Sequence, residues 1–396
     1  MPERADDSAR WIVRRMVKTA IAGALWAVGI HRLVRTVGRR AAGGARVLII
    51  SYHRVAPDFA ASAREALPSL LVSTETLRRQ LQHVARTREL DSLADARRIL
   101  AEPPPGRPRA RDYAAVTFDD GYADNHAVAL PVLAELAIPA TVFVATGYTG
   151  TERRLPHDRI FGGLVELARR GIPAERAGLA PAAQALLDAC AEPGPAATLD
   201  RLIARLPHDR LVAVAEALER RVGVGERDLP AGTRLMGWDE VRALDAAGID
   251  VGGHTVSHAV LANLPLSEAR REVLGCRDAL AEHLGRPPRH FAYPNGYHTP
   301  AVRRLVAECG FDAAVTTEDA ENRRGGDSHA LRRKVLWENS TLGPAGWSSM
   351  LATCNLEGVF TALRLARPVR GERPDALAEP GARVDPEEDP ARRAAS

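Results

Sequence analysis

An α/β fold built on parallel strands is what the sequence predicts, on three observations. Seven short β-type runs are near-continuously apolar and do not alternate, the pattern of strands buried on both faces. Most are separated by segments of helical periodicity with recognisable start and stop signals. Residues capable of chemistry fall just beyond the ends of these runs and hardly at all inside them.

Composition sets the outer bounds. The 396 residues are 45% hydrophobic and 26% charged, with 32 glycines and 27 prolines, which excludes a disordered, collagen-like or multi-span chain. The length suffices for one large core with insertions or for two modest domains. A net charge of +4 makes no global demand for nucleic acid. Cys190, Cys276, Cys309 and Cys354 show no C-x-x-C spacing, which argues against a disulfide framework or a thiolate zinc site. Lysine occurs only as Lys18 and Lys334, so arginine carries nearly all the positive charge and an arginine cluster means less than usual.

Residues 1–45 read as a basic amphipathic N-terminal helix, with Trp11 to Arg40 as one continuous element. From Arg10 to Arg46 there are nine Arg or Lys residues and no acid. The uncharged window Thr19 to Ile30 is shorter than the roughly 20 apolar residues that span a bilayer. Arg32, Arg35, Arg39 and Arg40 stand where a signal-peptide cleavage site would fall. The expectation is an interfacial helix in peripheral contact, through residues 11–40, with an anionic membrane. That makes the protein membrane-associated, peripheral or exported, without a convincing cleavable signal peptide. An amphipathic helix packed on its own domain is the alternative. Apart from Trp11 and Trp26 the arm lacks interleaved aromatics, so no nucleic-acid partner is expected.

The seven runs follow: Arg46–Tyr52, Ala114–Phe118, Ala140–Ala145, Ile249–Gly252, His290–Tyr293, Asp312–Thr316 and Lys334–Trp337. Helices are expected at Thr74–Thr87, Ala127–Ala137, Trp238–Ala247, Ser267–Leu284 and Pro300–Cys309. Ser267 reads as an N-cap, and Gly248, Gly285 and Gly310 as helix stops. Residues 46–149 and 234–365 are then two parts of one barrel-like domain, separated by an Ala-, Leu- and Arg-rich helical insertion over residues 150–233. Residues 366–396 are rich in Pro, Arg and acid and read as a disordered tail.

The strand ends carry the chemistry. His53 follows the first run, Asp119 and Asp120 the second, and His254 and His258 the fourth, while Tyr293, Pro294 and Asn295 end the fifth. Functional residues of parallel β/α folds collect at the C-terminal ends of strands. Asp119-Asp120-Gly121 is also a good turn tripeptide. Two adjacent carboxylates in one pocket repel unless a cation or proton intervenes. His254 and His258 lie on one face if the chain turns helical there. One carboxylate and two imidazoles make a facial set for a divalent metal, with positions open for water and substrate. Zinc is expected, and cobalt, nickel and ferrous iron are compatible. Such a site suits amide or ester hydrolysis: Asp120 holds the metal, Asp119 takes the proton of water, and His53 supplies one to the leaving group. A buried histidine satisfied by backbone is the alternative for His53.

Thr117-Phe-Asp-Asp-Gly121 and His254-Thr-Val-Ser-His258 resemble the first two motifs of the polysaccharide deacetylases, the NodB-homology domain of carbohydrate esterase family four. Phe291-Ala-Tyr-Pro-Asn-Gly296 resembles the third. Ser51-Tyr-His-Arg-Val55 is similar to the Tyr-His segment of the exopolysaccharide and poly-N-acetylglucosamine deacetylase branch. The resemblance spans Val47 to Trp337 without most of the insertion. It implies a distorted (β/α)7 barrel, Asp119 as base, and Asp120, His254 and His258 as metal ligands. It also implies a main-chain amide near Tyr293 in the oxyanion site, and an N-acetylated glycan as substrate. The late Leu-x-x-His motif is absent, which favours His53 as the acid. The Arg of the usual third motif has no aligned counterpart; Arg332 is the candidate for orienting the base, with Arg289 the alternative. The Asp-Trp motif of other members is also missing. Hydrolysis of a non-sugar C–N bond (an amide or cyclic imide) and a non-catalytic glycan-binding barrel are the competing readings.

Overall fold

Seven parallel strands curl into a distorted barrel. The computed structural model describes residues 3–42, 46–101, 112–192, 194–363 and 365; the tail expected from residue 366 lies outside them. The strands are β1 (Arg46–Tyr52), β2 (Asp112–Phe118), β3 (Ala140–Val144), β4 (Asp250–Gly253), β5 (His290–Ala292), β6 (Ala313–Val315) and β7 (Arg333–Val335). From β1 to β6 each pairs in parallel with the next, and β7 returns to pair with β1. A single parallel bridge, Val315 to Leu331, closes the ring just before β7. The short strand Asn322–Arg323 lies antiparallel on β1, so the sheet is mixed at this edge.

The near-continuous apolar runs have a two-sided burial to fill. Alternate residues of a strand point to opposite faces, and the strands divide accordingly. Val47, Ile49, Ala115, Phe143, Ala292 and Val315 form an inner cluster, plugged below by Leu93, Ile99 and Leu100 of the helix Leu93–Ala101. Leu48, Ile50, Val116, Phe118, Val142 and Val144 pack outward on Leu77, Leu81, Val132, Leu244 and Leu280 of the surrounding helices. Small residues let the ring tighten: a Cβ on Gly252 would lie 2.5 Å from the Phe143 ring and 2.8 Å from the His290 carbonyl.

The helices fall close to expectation at Thr74–Thr87, Trp238–Ala246 and Pro300–Glu308, and Gly285 stops a helix in the left-handed conformation that lacks a steric penalty only for glycine. Three expectations need correction. Ser267 lies inside its helix, which starts at Leu266 with Pro265 as the capping residue. The segment expected as one helix at 127–137 opens with a π-turn over Asn125–Ala129 before Leu130–Glu135. The N-terminal segment is two helices, α1 (Glu3–Ala27) and α2 (Ile30–Ala42), bent by 68° where Gly29 takes φ +76°.

Between β3 and β4, the helices α3 (Pro156–Arg169), α4 (Pro181–Asp188), α5 (Pro195–Arg205) and α6 (His208–Val222) enclose a core of their own. Ile160, Leu164, Leu199, Leu202, Val214 and Leu218 meet there, and the cluster reaches the barrel through Leu67 and Val260. At the opposite rim, Asp112 at the start of β2 accepts hydrogen bonds from Arg46 of β1 and Arg39 of α2, and Arg35 of α2 reaches Glu357.

Candidate active site

The inward side of the barrel turns polar towards the C-terminal ends of the strands. Continuing the inner positions of β1 and β2 past Ile49 and Ala115 gives Ser51 and His53, then Thr117 and Asp119. The same side of β7 carries Arg333, which is fully buried. It donates to both oxygens of Asp119 at 2.7 Å, to Thr117 Oγ1 at 3.0 Å and to the Thr316 carbonyl at 2.8 Å. Ser51 Oγ adds a donor to Asp119 Oδ2 at 3.3 Å. Burial alone would raise the carboxyl pKa of Asp119, but the Arg333 charge and hydrogen bonds outweigh it and hold the group below its usual range.

This corrects the assignment of Arg332. Its side chain is half exposed and pairs with Glu318 at 3.3 Å, because residues one apart on a strand face opposite sides. The register Ile49 to Arg333 puts Arg333, not Arg332, in the interior. Arg289 lies outside on Asp312.

Beside Asp119 the chain turns sharply, with Asp120 at φ +75° and Gly121 at +79°. That turn lets adjacent carboxylates serve different partners. Asp120 Oδ1 lies 3.0 Å from His258 Nε2 and 3.3 Å from His254 Nε2, and the ligand atoms of the three residues lie within 4.8 Å of one another. His254 Nδ1 donates to the Ala292 carbonyl at 2.8 Å, which leaves the Nε2 lone pair facing Asp120. Desolvation would raise the pKa of Asp120, but the two imidazoles beside it carry it well below its ordinary value. One carboxylate and two imidazoles, that of His254 oriented through its Nδ1, fit zinc, cobalt or nickel by donor type.

The two histidines reach this geometry without a helix. Residues 254–259 form an irregular loop, with Thr255 at φ +64° and His258 at +59°. Of the five non-glycine residues with positive φ among the described residues, Asp120, Thr255, His258 and Asn295 belong to this region, and such strain concentrates where the surroundings over-determine the backbone. Glu272 supplies that restraint: its carboxylate accepts from the Val256 and Ser257 amides and the Ser257 hydroxyl at 2.8–2.9 Å.

His53 faces Asp119, with Nε2 3.9 Å from Oδ2. Asn125 holds the His53 carbonyl at 2.8 Å, while His53 Nδ1 has no hydrogen-bond partner among the described residues. Burial lowers its pKa against the opposing pull of Asp120 and Asp119. Tyr293 is placed differently from expectation. Its amide is committed to the Val315 carbonyl at 3.2 Å and its hydroxyl donates to the His329 carbonyl at 2.9 Å, so neither is free for a substrate. Asn295, two residues on and in the left-handed conformation, lines the space beside His258.

A further group went unread in the sequence. His157 and Asp158, at the start of α3 in the insertion, both meet the Tyr122 hydroxyl at 2.8 Å, and His157 Nε2 lies 4.0 Å from Asp120 Oδ2. Desolvation pushes the pKa of His157 down to about 3 and that of Asp158 up to about 6. Arg54, on Asp124 at 3.3 Å, covers the Tyr122 ring. The Pro-His-Asp start of a helix was the available signal, but nothing in its spacing pointed across to the barrel. Pro156, Ile160, Ile203, Leu211 and Val260 complete an apolar wall facing His157 and His258.

A family model described as polysaccharide deacetylase matches residues 106–314, more than half the chain. Among solved structures the chain is similar to IcaB from Ammonifex degensii, at 19% identity over 79% of this chain and 98% of that one, with a TM-score of 0.50. It is similar also to the Streptococcus pyogenes deacetylase PplD in complex with acetate, at 16% identity over 76% and 96%, with a TM-score of 0.49. A third is a de-N-acetylase from Aggregatibacter actinomycetemcomitans, at 15% identity over 78% and 99%, with a TM-score of 0.49. At 19% identity the likeness to IcaB is one of fold. No curated protein sequence matches the chain.

Proposed function

The chain belongs to the polysaccharide deacetylase family, and from that premise we propose that it is a metal-dependent hydrolase of N-acetylated amino sugars in an oligosaccharide or polysaccharide, releasing acetate. The observation that carries this reading is the division of labour between neighbouring carboxylates. Asp120 turns to two imidazoles, while Asp119 is held apart by a buried arginine. The Tyr-His segment at Tyr52 and His53 favours the exopolysaccharide branch.

Asp120, His254 and His258 would hold the cation, zinc first and cobalt or nickel as alternatives. When bound, it supplies Lewis acidity to the acetamide carbonyl and lowers the pKa of water to about 7. Asp119, ionised and fixed in orientation by Arg333, is the base that accepts the proton of the attacking water. His53, neutral at rest, passes a proton from the Asp119 side to the departing amine as the C–N bond breaks; the carbon keeps the hydroxyl and leaves as acetate. The Asn295 amide beside His258 takes the oxyanion role first given to the amide near Tyr293. His157, with Nε2 4.0 Å from Asp120 Oδ2, backs that carboxylate from the insertion side, and the Tyr122 hydroxyl holds His157.

The test is acetate release from N-acetylglucosamine oligomers by protein stripped of metal and then loaded with zinc, cobalt or nickel. Release that depends on the metal is expected; a fully loaded protein that releases none from any amino-sugar oligomer would overturn the reading. One observation favours a second reading. Pro156, Ile160, Ile203, Leu211 and Val260 wall the space beside His258 with apolar side chains, which suit a small non-sugar amide or cyclic imide and offer a sugar's hydroxyls no hydrogen-bond partners. Turnover that rises with oligomer length argues for the glycan, and turnover confined to small amides argues for the alternative.

A further inference from the structure

The helix pair α1 and α2 presents an apolar outer face that nothing in the fold covers. Its inner face is accounted for: Ala22, Leu25, Ile30 and Val34 pack on Leu351, Cys354, Val359 and Phe360, and Arg35 and Arg39 fasten α2 to Glu357 and Asp112. The outer face of such a surface helix is ordinarily polar. Here Val13, Val17 and Ile21 follow one another along α1 at helical spacing, Val28 stands exposed in the turn between the helices, and Leu33 and Val37 continue along α2. Eight of the eleven exposed large apolar side chains among the described residues lie between Val13 and Val37, with Val28 at 74% and Leu33 at 58%. Scattered exposure is normal, whereas a continuous stripe marks an interaction surface.

Charge selects the occupant. Arg32 and Arg40 are exposed and neither forms an ion pair among the described residues, and no acid occurs from Arg10 to Arg46. A second copy of the chain apposed across a two-fold axis would bring this same acid-free face against itself and leave the cations without opposite charges. A neutral protein face would leave them unmatched. Among the described residues no single helix is long and apolar enough to cross a membrane, and the pair is bent by 68°, which suits a position along an interface better than a straight crossing.

We propose that the outer face of α1 and α2, from Val13 to Val37, docks the protein on an anionic lipid surface, with the apolar stripe in the acyl boundary and Arg32 and Arg40 at the headgroups. This surface lies on elements separate from the metal-ligand cluster, and the inference does not depend on the reaction assigned there.

Co-sedimentation of the full chain with vesicles tests it, using phosphatidylcholine alone and phosphatidylcholine mixed with phosphatidylglycerol. Binding is expected to the mixed vesicles and to weaken in about 1 M salt, where charges are screened beyond ~3 Å. The double variant Val17→Asp/Ile21→Asp should bind at least about tenfold more weakly, and Arg32→Ala and Arg40→Ala about fivefold more weakly each. All four sites are on the outside, so circular dichroism should match the parent chain. Equal binding to neutral vesicles, or full binding by the double variant, would overturn the proposal. So would retention of the protein on vesicles through an alkaline wash, which indicates a spanning segment. A dimer that Val17→Asp/Ile21→Asp dissociates, without vesicle binding by the parent chain, would assign the face to a second copy.

Discussion

Asp119 is buried and yet ionised, and the cause is a planar guanidinium donating to both of its oxygens at 2.7 Å. A lysine at the same place is a point charge on a flexible stem and cannot reproduce that fork. Arg333→Lys is therefore expected to lower kcat about 10–100-fold, the range for loss of a supporting partner, with KM little changed. Arg332→Ala, which removes a half-exposed pair with Glu318, should leave kcat near that of the parent chain. Steady-state kinetics on both variants checks the pair, and the reverse ranking would remove Arg333 from the site. Sequence carried most of this layer, because Asp119, Asp120, His254 and His258 follow strand ends that their apolar runs already marked. The arginine was misread by one position, since a run read as Lys334–Trp337 conceals which of two neighbouring arginines faces inward. Tyr293 was misread for another reason: whether an amide is spent on a neighbouring strand depends on register, which no local pattern records.

Elements were legible where the hydrophobic period was strong and illegible where tertiary partners decide. All seven strands fall within two residues of their expected runs, and the helix Thr74–Thr87 stands where its sequence places it. The break at Gly29 and the irregular loop at residues 254–259 do not follow from periodicity; the loop is held by Glu272, eighteen residues beyond His254 in sequence and invisible as its partner until the chain folds. At the base of the barrel, strand and helix meet on one charge. Burial would raise the pKa of Asp112, but hydrogen bonds and charges from Arg46 and Arg39 prevail and hold it below the ordinary value. A depressed carboxylate contributes stability above its unfolded pKa, and that contribution disappears as pH falls through the folded one. Asp112→Asn is expected to cost about 3–5 kcal/mol near neutral pH, as for a broken buried ion pair, and the gap from the parent chain should begin to narrow below about pH 4. Urea unfolding at pH 7 and pH 3 measures this; a gap independent of pH would show that the ion pair is not the cause.

At the scale of the whole molecule, the insertion and the barrel make one site. The barrel supplies Asp119, Asp120, His254, His258, His53 and Arg333 at the same end of its strands, while the insertion brings His157 behind Asp120 and an apolar wall before His258. The family resemblance leaves out most of the insertion, so its contribution is not legible in the motifs. The proposed reaction rests on a division of work between Asp119 as base and Asp120 as ligand. Its most direct test is acetate release by Asp119→Asn and Asp120→Asn, with metal content determined on the same samples. Asp119→Asn is expected to keep its metal and lose about 10²–10⁴ in kcat, the usual contribution of a positioned base, whereas Asp120→Asn is expected to lose the metal itself. Full turnover by Asp119→Asn, or metal lost equally from both, would contradict it.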